Sequence, residues 1–132
     1  MVFVDTGAWF ALHVPADPNH AAALAWLRDN SESLVTTDFV VSETLTLFRA
    51  RRESRRAIEV GHTLVEEDLA KLHFITPTEF HRAWILFQQA RASRWSFTDC
   101  TSKIVIDSLE IRTAFAFNSH FREFGSIEVV PN

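Results

Sequence analysis

Short β-rich runs alternating with helical stretches predict an α/β fold, a parallel sheet covered by helices on both faces. Two further observations support it. The opening run Val2-Phe3-Val4 is wholly apolar, as a strand buried on both sides must be. The 132 residues contain no internal repeat, low-complexity tract or linker, so residues 1–132 are expected to form a single domain around one core.

The first strand ends at Asp5-Thr6-Gly7, and Ala8 to His13 reads as helix until Pro15 and Pro18 break it. Asn19 to Asp29 is a second helix, with Ala22, Leu24, Ala25 and Leu27 among its apolar positions. A second strand, Leu34 to Thr36, leads to Thr37 or Asp38, either able to cap a helix running to about Arg52. Ser54 to Leu69 continues as helix, and His73-Phe74-Ile75 is the third strand. Thr78 to Arg94 is helical, with Phe80, Ala83, Trp84 and Phe87 as its apolar stripe. Ser96-Phe97-Thr98-Asp99 has the form of a capping box and opens a helix to about Leu109. Thr113 to Phe117 is a fourth strand and Ile127 to Val130 a short fifth.

Composition narrows the function. No apolar run is long enough to span a bilayer, and the start MVFVDTG lacks a basic region and cleavage site, so no membrane association is expected. A lone cysteine, Cys100, forbids an internal disulfide and fits a reducing cytoplasm; it reads as a small core residue. The net charge of −4 argues against indiscriminate coating of nucleic acid. Two features are compatible with local nucleic-acid contact: the run Arg49, Arg51, Arg52, Arg55 and Arg56, and the group Arg91, Arg94 and Trp95. The run reads equally well as a solvated helix surface, and Trp95 as packing. His20 reads as packing or capping.

The informative residues are acids where the pattern asks for something apolar. Glu43 has Phe39, Val40, Thr46 and Leu47 as its helix neighbours, an apolar stripe on which a carboxylate costs free energy unless compensated or able to snorkel to water. Asp5 follows the apolar first strand, at the carboxyl end where open α/β sheets place their ligands. It is also well placed to cap the next helix, as Asp99 is to complete its capping box. Asn118 ends the fourth strand, where a turn-forming Asn is ordinary. All these positions fall at a strand's carboxyl end or near a helix start, where they can face one crevice. Two carboxylates about 5 Å apart repel by roughly 3 kcal/mol at an effective dielectric near 20. A converging trio therefore raises its own pKa values or recruits a cation. Oxygen-only donors select Mg²⁺ or Mn²⁺ over zinc, and the six His residues show no paired metal-binding spacing.

Two motif coincidences fail. Asp5-Thr6-Gly7 matches the aspartic-protease signature, but those enzymes are all-β and oppose two such aspartates. An aspartyl-phosphate phosphatase puts a second Asp two residues after the first, where this chain has Gly7.

The order V-F-V-D-T at Asp5, V-V-S-E at Glu43, S-F-T-D-C at Asp99 and F-A-F-N at Asn118 resembles the PIN-domain ribonucleases, most closely the VapC toxins of bacterial toxin–antitoxin pairs. The resemblance extends through the Asn19-His20-x-x-Ala23-x-x-Trp26 helix and the closing Phe117-Asn118-Ser119-His120-Phe121 segment. It implies a three-layer α/β/α fold with a sheet of four or five strands in the order 3-2-1-4-5. It also implies an acidic Mg²⁺ or Mn²⁺ site and cleavage of single-stranded regions of RNA. Asp5, Glu43 and Asp99 take the places of three family acids: Asp5 and Asp99 as ion ligands, Glu43 completing the shell or orienting water. Asn118 departs from the pattern, falling where the family commonly has a fourth Asp. An amide oxygen can ligate but brings no charge, which bears on a second ion and on activity. The rival expectation is a PIN fold weakened at Asn118 into an RNA-binding or interaction module. The resemblance further implies a homodimer and a cognate antitoxin, with Trp9, Phe10, Trp26 and Phe48 as apolar surface for partners.

Overall fold

The computed structural model describes residues 1–132. Five strands, β1 (Val2–Val4), β2 (Leu34–Thr37), β3 (Lys71–His73), β4 (Thr113–Phe115) and β5 (Glu128–Val130), form one sheet in the order β3-β2-β1-β4-β5. Every pairing is parallel: Val2 lies opposite Leu34 on one side and Thr113 on the other, and Phe115 opposite Val130. The helices are α1 (Thr6–His13), α2 (His20–Asp29), α3 (Asp38–Ala50), α4 (Ser54–Val65), α5 (Pro77–Gln89) and α6 (Phe97–Ser108). A 3₁₀ segment, Ser119–Glu123, links β4 to β5. The α/β fold and strand order are those expected, and no all-β arrangement is present.

The chain moves outward from β1 through β2 to β3, then crosses back to β4. Right-handed crossovers place the connections of these opposite movements on opposite faces of the sheet. α1 packs on α2 and α3, and α3 on α4; α5 and α6 pair with each other, with α6 also touching α3. The reversal between β1 and β4 makes their carboxyl ends the switch point, where such sheets open a crevice.

β1 and β2 are buried along their whole length, whereas β3, at the edge, is not. The core is strongly aromatic: Phe10 meets Phe48 at 5.0 Å between ring centres, Trp26 meets Phe115 at 4.3 Å, and Phe121 reaches Phe3 at 6.0 Å. Trp9, Phe10 and Phe48 are buried and Trp26 packs against the same core, so the surface expected from them does not exist. The exposed large apolar residues are instead Phe74, Phe80, Trp84, Ile85 and Phe87, with others scattered singly. The α5 stripe accordingly buries only Ala83 of its four apolar members. Its rings form a surface cluster, Phe80 lying 5.1 Å from Phe97 and 6.1 Å from Phe39. In α2 only Ala23 is fully buried, while Ala22 and Ala25 are exposed.

Boundaries moved for identifiable reasons. The third strand lies two residues earlier than expected, because the Ile75 N–H leaves the sheet to donate to Asp38 Oδ1 at 2.9 Å. That settles the start of α3: Thr37 caps it, accepting from the Val40 N–H at 3.1 Å, while Asp38 holds the strand exit. Thr76, not Thr78, opens α5, through a capping box with Glu79 and Pro77 in the first turn. α5 stops at Gln89, short of Arg94, and β4 at Phe115. α1 begins at Thr6, two residues early. α3, α4 and α6 each close on a non-glycine residue at positive φ, namely Arg52, Glu67 and Glu110. The next N–H then reaches back to the last turn: Glu53 to the Phe48 carbonyl, Asp68 to Thr63, Ile111 to Ile106. These closures end α3 at Ala50 and α4 at Val65, before the expected Arg52 and Leu69.

Candidate metal centre and active site

Asp5 leaves β1 at the switch point, its N–H donating to the Phe115 carbonyl at 3.1 Å. It occupies the N-cap position of α1, yet its side chain makes no capping hydrogen bond. The residue is 3% exposed. Its pKa is pushed from 3.8 up to about 7, chiefly by burial; the Thr6 backbone N–H pulls it down, and the charges of Glu43 and Asp99 push it further up. The structure thus places Glu43 and Asp99 each within electrostatic reach of Asp5, which bears the cost.

A buried threonine network fixes the elements around Asp5. The Thr44 hydroxyl donates to the Val40 carbonyl at 2.7 Å and lies 3.3 Å from Thr6 Oγ1, joining α3 to the start of α1. Glu43, the residue before Thr44 on α3, is half-buried. It faces a groove of about 380 Å³ lined also by Asp38, Phe39, Ser42, Thr46 and Thr98, so its apolar stripe is interrupted where α3 meets the start of α6. Hollows of about 530 Å³ between α3 and α4 and about 750 Å³ beside β5 do not include the three acids.

Asp99 is 4% exposed and does form the capping box: the Ser96 N–H donates to its Oδ2 at 2.9 Å, and its own N–H donates to Ser96 Oγ at 3.0 Å. Capping does not remove Asp99 from the electrostatic reach of Asp5, whose carboxyl its charge pushes up. Asn118 is the N-cap of the 3₁₀ segment, its Oδ1 accepting the His120 N–H at 3.0 Å. The residue missed from the sequence is His120, whose Nδ1 lies 2.7 Å from Asp99 Oδ2. The Asx-turn signal at Asn118 marks where the chain bends, but not that the bend returns a side chain to Asp99.

The donors fit a hard divalent cation: carboxylate oxygens, one of them buried at an energetic cost that a positive charge would relieve. In this arrangement no three His, Cys, Asp or Glu side chains are close enough together to surround one ion.

Several of the other sequence candidates make structural contacts, while Arg49, Arg52, Arg55, Arg91 and Arg94 are exposed. Arg51 lies 5.7 Å from the Phe10 ring centre, and Arg56 binds the His13 carbonyl and Glu53; both belong to the α3–α4 junction, at the opposite end of α3 from Asp38. Trp95 packs edge-on to Phe124 and its Nε1 donates to Glu123 at 3.1 Å, so it braces the 3₁₀ segment and is not a free stacking surface. His20 Nδ1 meets the Ala11 carbonyl at 2.7 Å, tying α2 to α1. Cys100 is fully buried, its thiol pushed up to about 11 by burial and then by the Asp99 charge. No helix is long and apolar enough to cross a membrane.

Comparison with known proteins identifies the fold and the family. Residues 2–124 match the family model for the PIN domain. The chain is 30% identical over 131 residues, 99% of each sequence, to the 23S rRNA-specific endonuclease VapC20 of Mycobacterium tuberculosis. The crystal structure of that species' VapC20, described as a sarcin-ricin loop cleaving toxin, superposes with a TM-score of 0.92 at 27% identity, covering 99% of this chain and 100% of that one. VapBC2 from Rickettsia felis, bound to a promoter DNA fragment, superposes at 0.66 with 9% identity over 98% and 97% of the two chains, a likeness of fold alone.

Proposed function

The chain belongs to the PIN-domain family, and from that premise we propose that it is a metal-dependent endoribonuclease, the toxin of a toxin–antitoxin pair. The substrate is a single-stranded region of RNA, hydrolysed at a phosphodiester bond. The observation that carries this reading is Asp5: an acid 3% exposed at the sheet's switch point, with its pKa raised to about 7 chiefly by burial and further by the charges of Glu43 and Asp99. A fold that needed Asp5 only as a cap would use its side chain as one, and here it does not.

Asp5 and Asp99 would hold Mg²⁺ or Mn²⁺, with Glu43 completing the shell or orienting the attacking water. Such an ion, when bound, lowers the pKa of water and offsets charge developing on the phosphate. Burial of Asp5 and Asp99 keeps both carboxylates in a region of low dielectric, where their attraction for a cation is strongest. Glu43, half-exposed in its groove, is the acid a substrate phosphate or its water can reach. No covalent enzyme intermediate is required.

VapC20 acts on 23S rRNA, so ribosomal RNA and an unstructured oligoribonucleotide are the substrates to try first. Cleavage with Mn²⁺ or Mg²⁺ that stops with chelator and with Asp5→Asn is the expected result. An Asp5→Asn protein cutting at the wild-type rate would sink the assignment. A second reading, a PIN fold weakened into a binding module, is favoured by one observation: the Asn118 amide oxygen is engaged as a cap. RNA binding without cleavage at any metal concentration would select it.

The partners follow from the same reading. A cognate antitoxin and a second copy of the chain are the expected ones, and the aromatic surface of Phe80, Trp84 and Phe87 beside Phe97 is the face assigned to the second copy. Light scattering tests this directly: Trp84→Glu should shift a dimer toward monomer.

A further inference from the structure

Both side-chain hydrogen bonds that Asp99 accepts fall on the same oxygen. Oδ2 takes the Ser96 N–H at 2.9 Å and faces His120 Nδ1 at 2.7 Å; Oδ1 takes none. An ionised carboxylate has no hydrogen to give, so Nδ1 carries it and donates, at a separation typical of a charge-assisted bond. The imidazole is in turn held at its backbone. Asn118 Oδ1 accepts the His120 N–H at 3.0 Å, and the next residue, Phe121, is fully buried against Phe3 and Phe124. Asn118, His120 and Phe121 therefore lock one imidazole nitrogen onto one oxygen of Asp99.

We propose that His120 is the positioning residue of the acidic site: it fixes the rotation of the Asp99 carboxylate by holding Oδ2, leaving Oδ1 for the divalent cation, with Asn118 seating the histidine. The proposal rests on the metal-site reading above. It gives Asn118 a task that needs an acceptor but no charge, and so one that an amide can perform. A carboxylate free to rotate would present either oxygen, and its ordering would be taken from the binding of the ion. Partners that orient ligand side chains are worth about 10–100-fold in metal affinity.

The test compares His120→Phe, which keeps a ring but no donor, with His120→Asn, whose Nδ2 stands near the Nδ1 position. The readouts are the Mn²⁺ concentrations for half-maximal thermal stabilisation and for half-maximal RNA cleavage. His120→Phe should raise both by about 10–100-fold, with the cleavage rate at saturating Mn²⁺ much less affected, and His120→Asn should restore most of the loss. Should His120→Phe not fold, His120→Gln carries the same expectation, since its donor sits too far out to meet Oδ2. A His120→Phe or His120→Gln protein with a lowered metal-free melting temperature but unchanged Mn²⁺ half-saturation overturns the proposal, leaving His120 a structural tie. A wild-type protein with no Mn²⁺ response overturns the metal-site reading and this inference with it.

Discussion

The Trp9 indole Nε1 donates to Thr36 Oγ1 at 3.2 Å, and that same hydroxyl donates to the Val4 carbonyl at 3.0 Å. Both side chains are buried, so α1 is pinned to β2 and to the end of β1, one residue before Asp5, through a single hydroxyl. Thr36→Val keeps the shape and strands the indole N–H. It should cost about 1–3 kcal/mol in urea denaturation, and adding Trp9→Phe should recover part of that by removing the orphaned donor.

The raised pKa of Asp5 sets a pH dependence. Its folded pKa, about 7, lies above the unfolded 3.8, so between these values the native state holds a proton that the unfolded chain has lost. The Asp5 contribution to metal-free stability is therefore largest at low pH, falls through that window and levels off above it, by a few kcal/mol in order of magnitude. The wild type should lose stability relative to Asp5→Asn as pH rises, and at pH 8 the variant should be the more stable. Equal slopes in paired denaturation curves would contradict this. Protons and cation compete for the same carboxylate, so Mn²⁺ affinity should rise through the same window.

Metal should stabilise the fold by mass action. At about 100 times the dissociation constant the gain is on the order of 2.7 kcal/mol, several degrees of melting temperature for a domain of this size. Monovalent salt at matched ionic strength should not reproduce it. Asp99→Asn keeps an acceptor for the Ser96 N–H and should retain α6, while losing most of the Mn²⁺ response. A full response in that variant would leave Asp99 a cap only.

Asn118→Asp tests the departure from the family pattern. An Asp can accept the His120 N–H as the Asn does, so the 3₁₀ segment should survive. The added charge should raise Mn²⁺ affinity and cleavage together, and superimposable metal titrations would show that this position does not limit binding.

Glu110 ends α6 at a φ of 54° with its side chain exposed. Glu110→Gly relieves the steric cost of that conformation against a looser unfolded chain, for a net gain of about 0.5 kcal/mol. A substantial loss of stability on chemical denaturation would show that the residue does more than close the helix.

Much of this architecture was legible because its causes are local. The apolar Val2–Val4 run, the strand–helix alternation and the Ser96–Asp99 box are each contained within a few residues, and each is in place. Asp5, Glu43 and Asp99 stood out for a related reason: an acid on an apolar stretch violates a pattern that neighbouring residues define. Helix ends were less visible. With only three glycines in the chain, Arg52, Glu67 and Glu110 take the left-handed closures that glycine usually signals. The fate of the large aromatics could not be read at all. Trp9 and Trp84 are equally apolar, but one faces the sheet and the other projects from α5, a choice made by which helix packs on which. His120 shows the same limit at the site. Its partner Asp99 is 21 residues away, on α6, and only the return of the chain through β4 and the 3₁₀ segment sets the imidazole on that carboxylate. Sequence determined which residues carry charge where charge is costly; tertiary structure decided which of them meet, because their distances depend on sheet order and helix packing that no local pattern encodes.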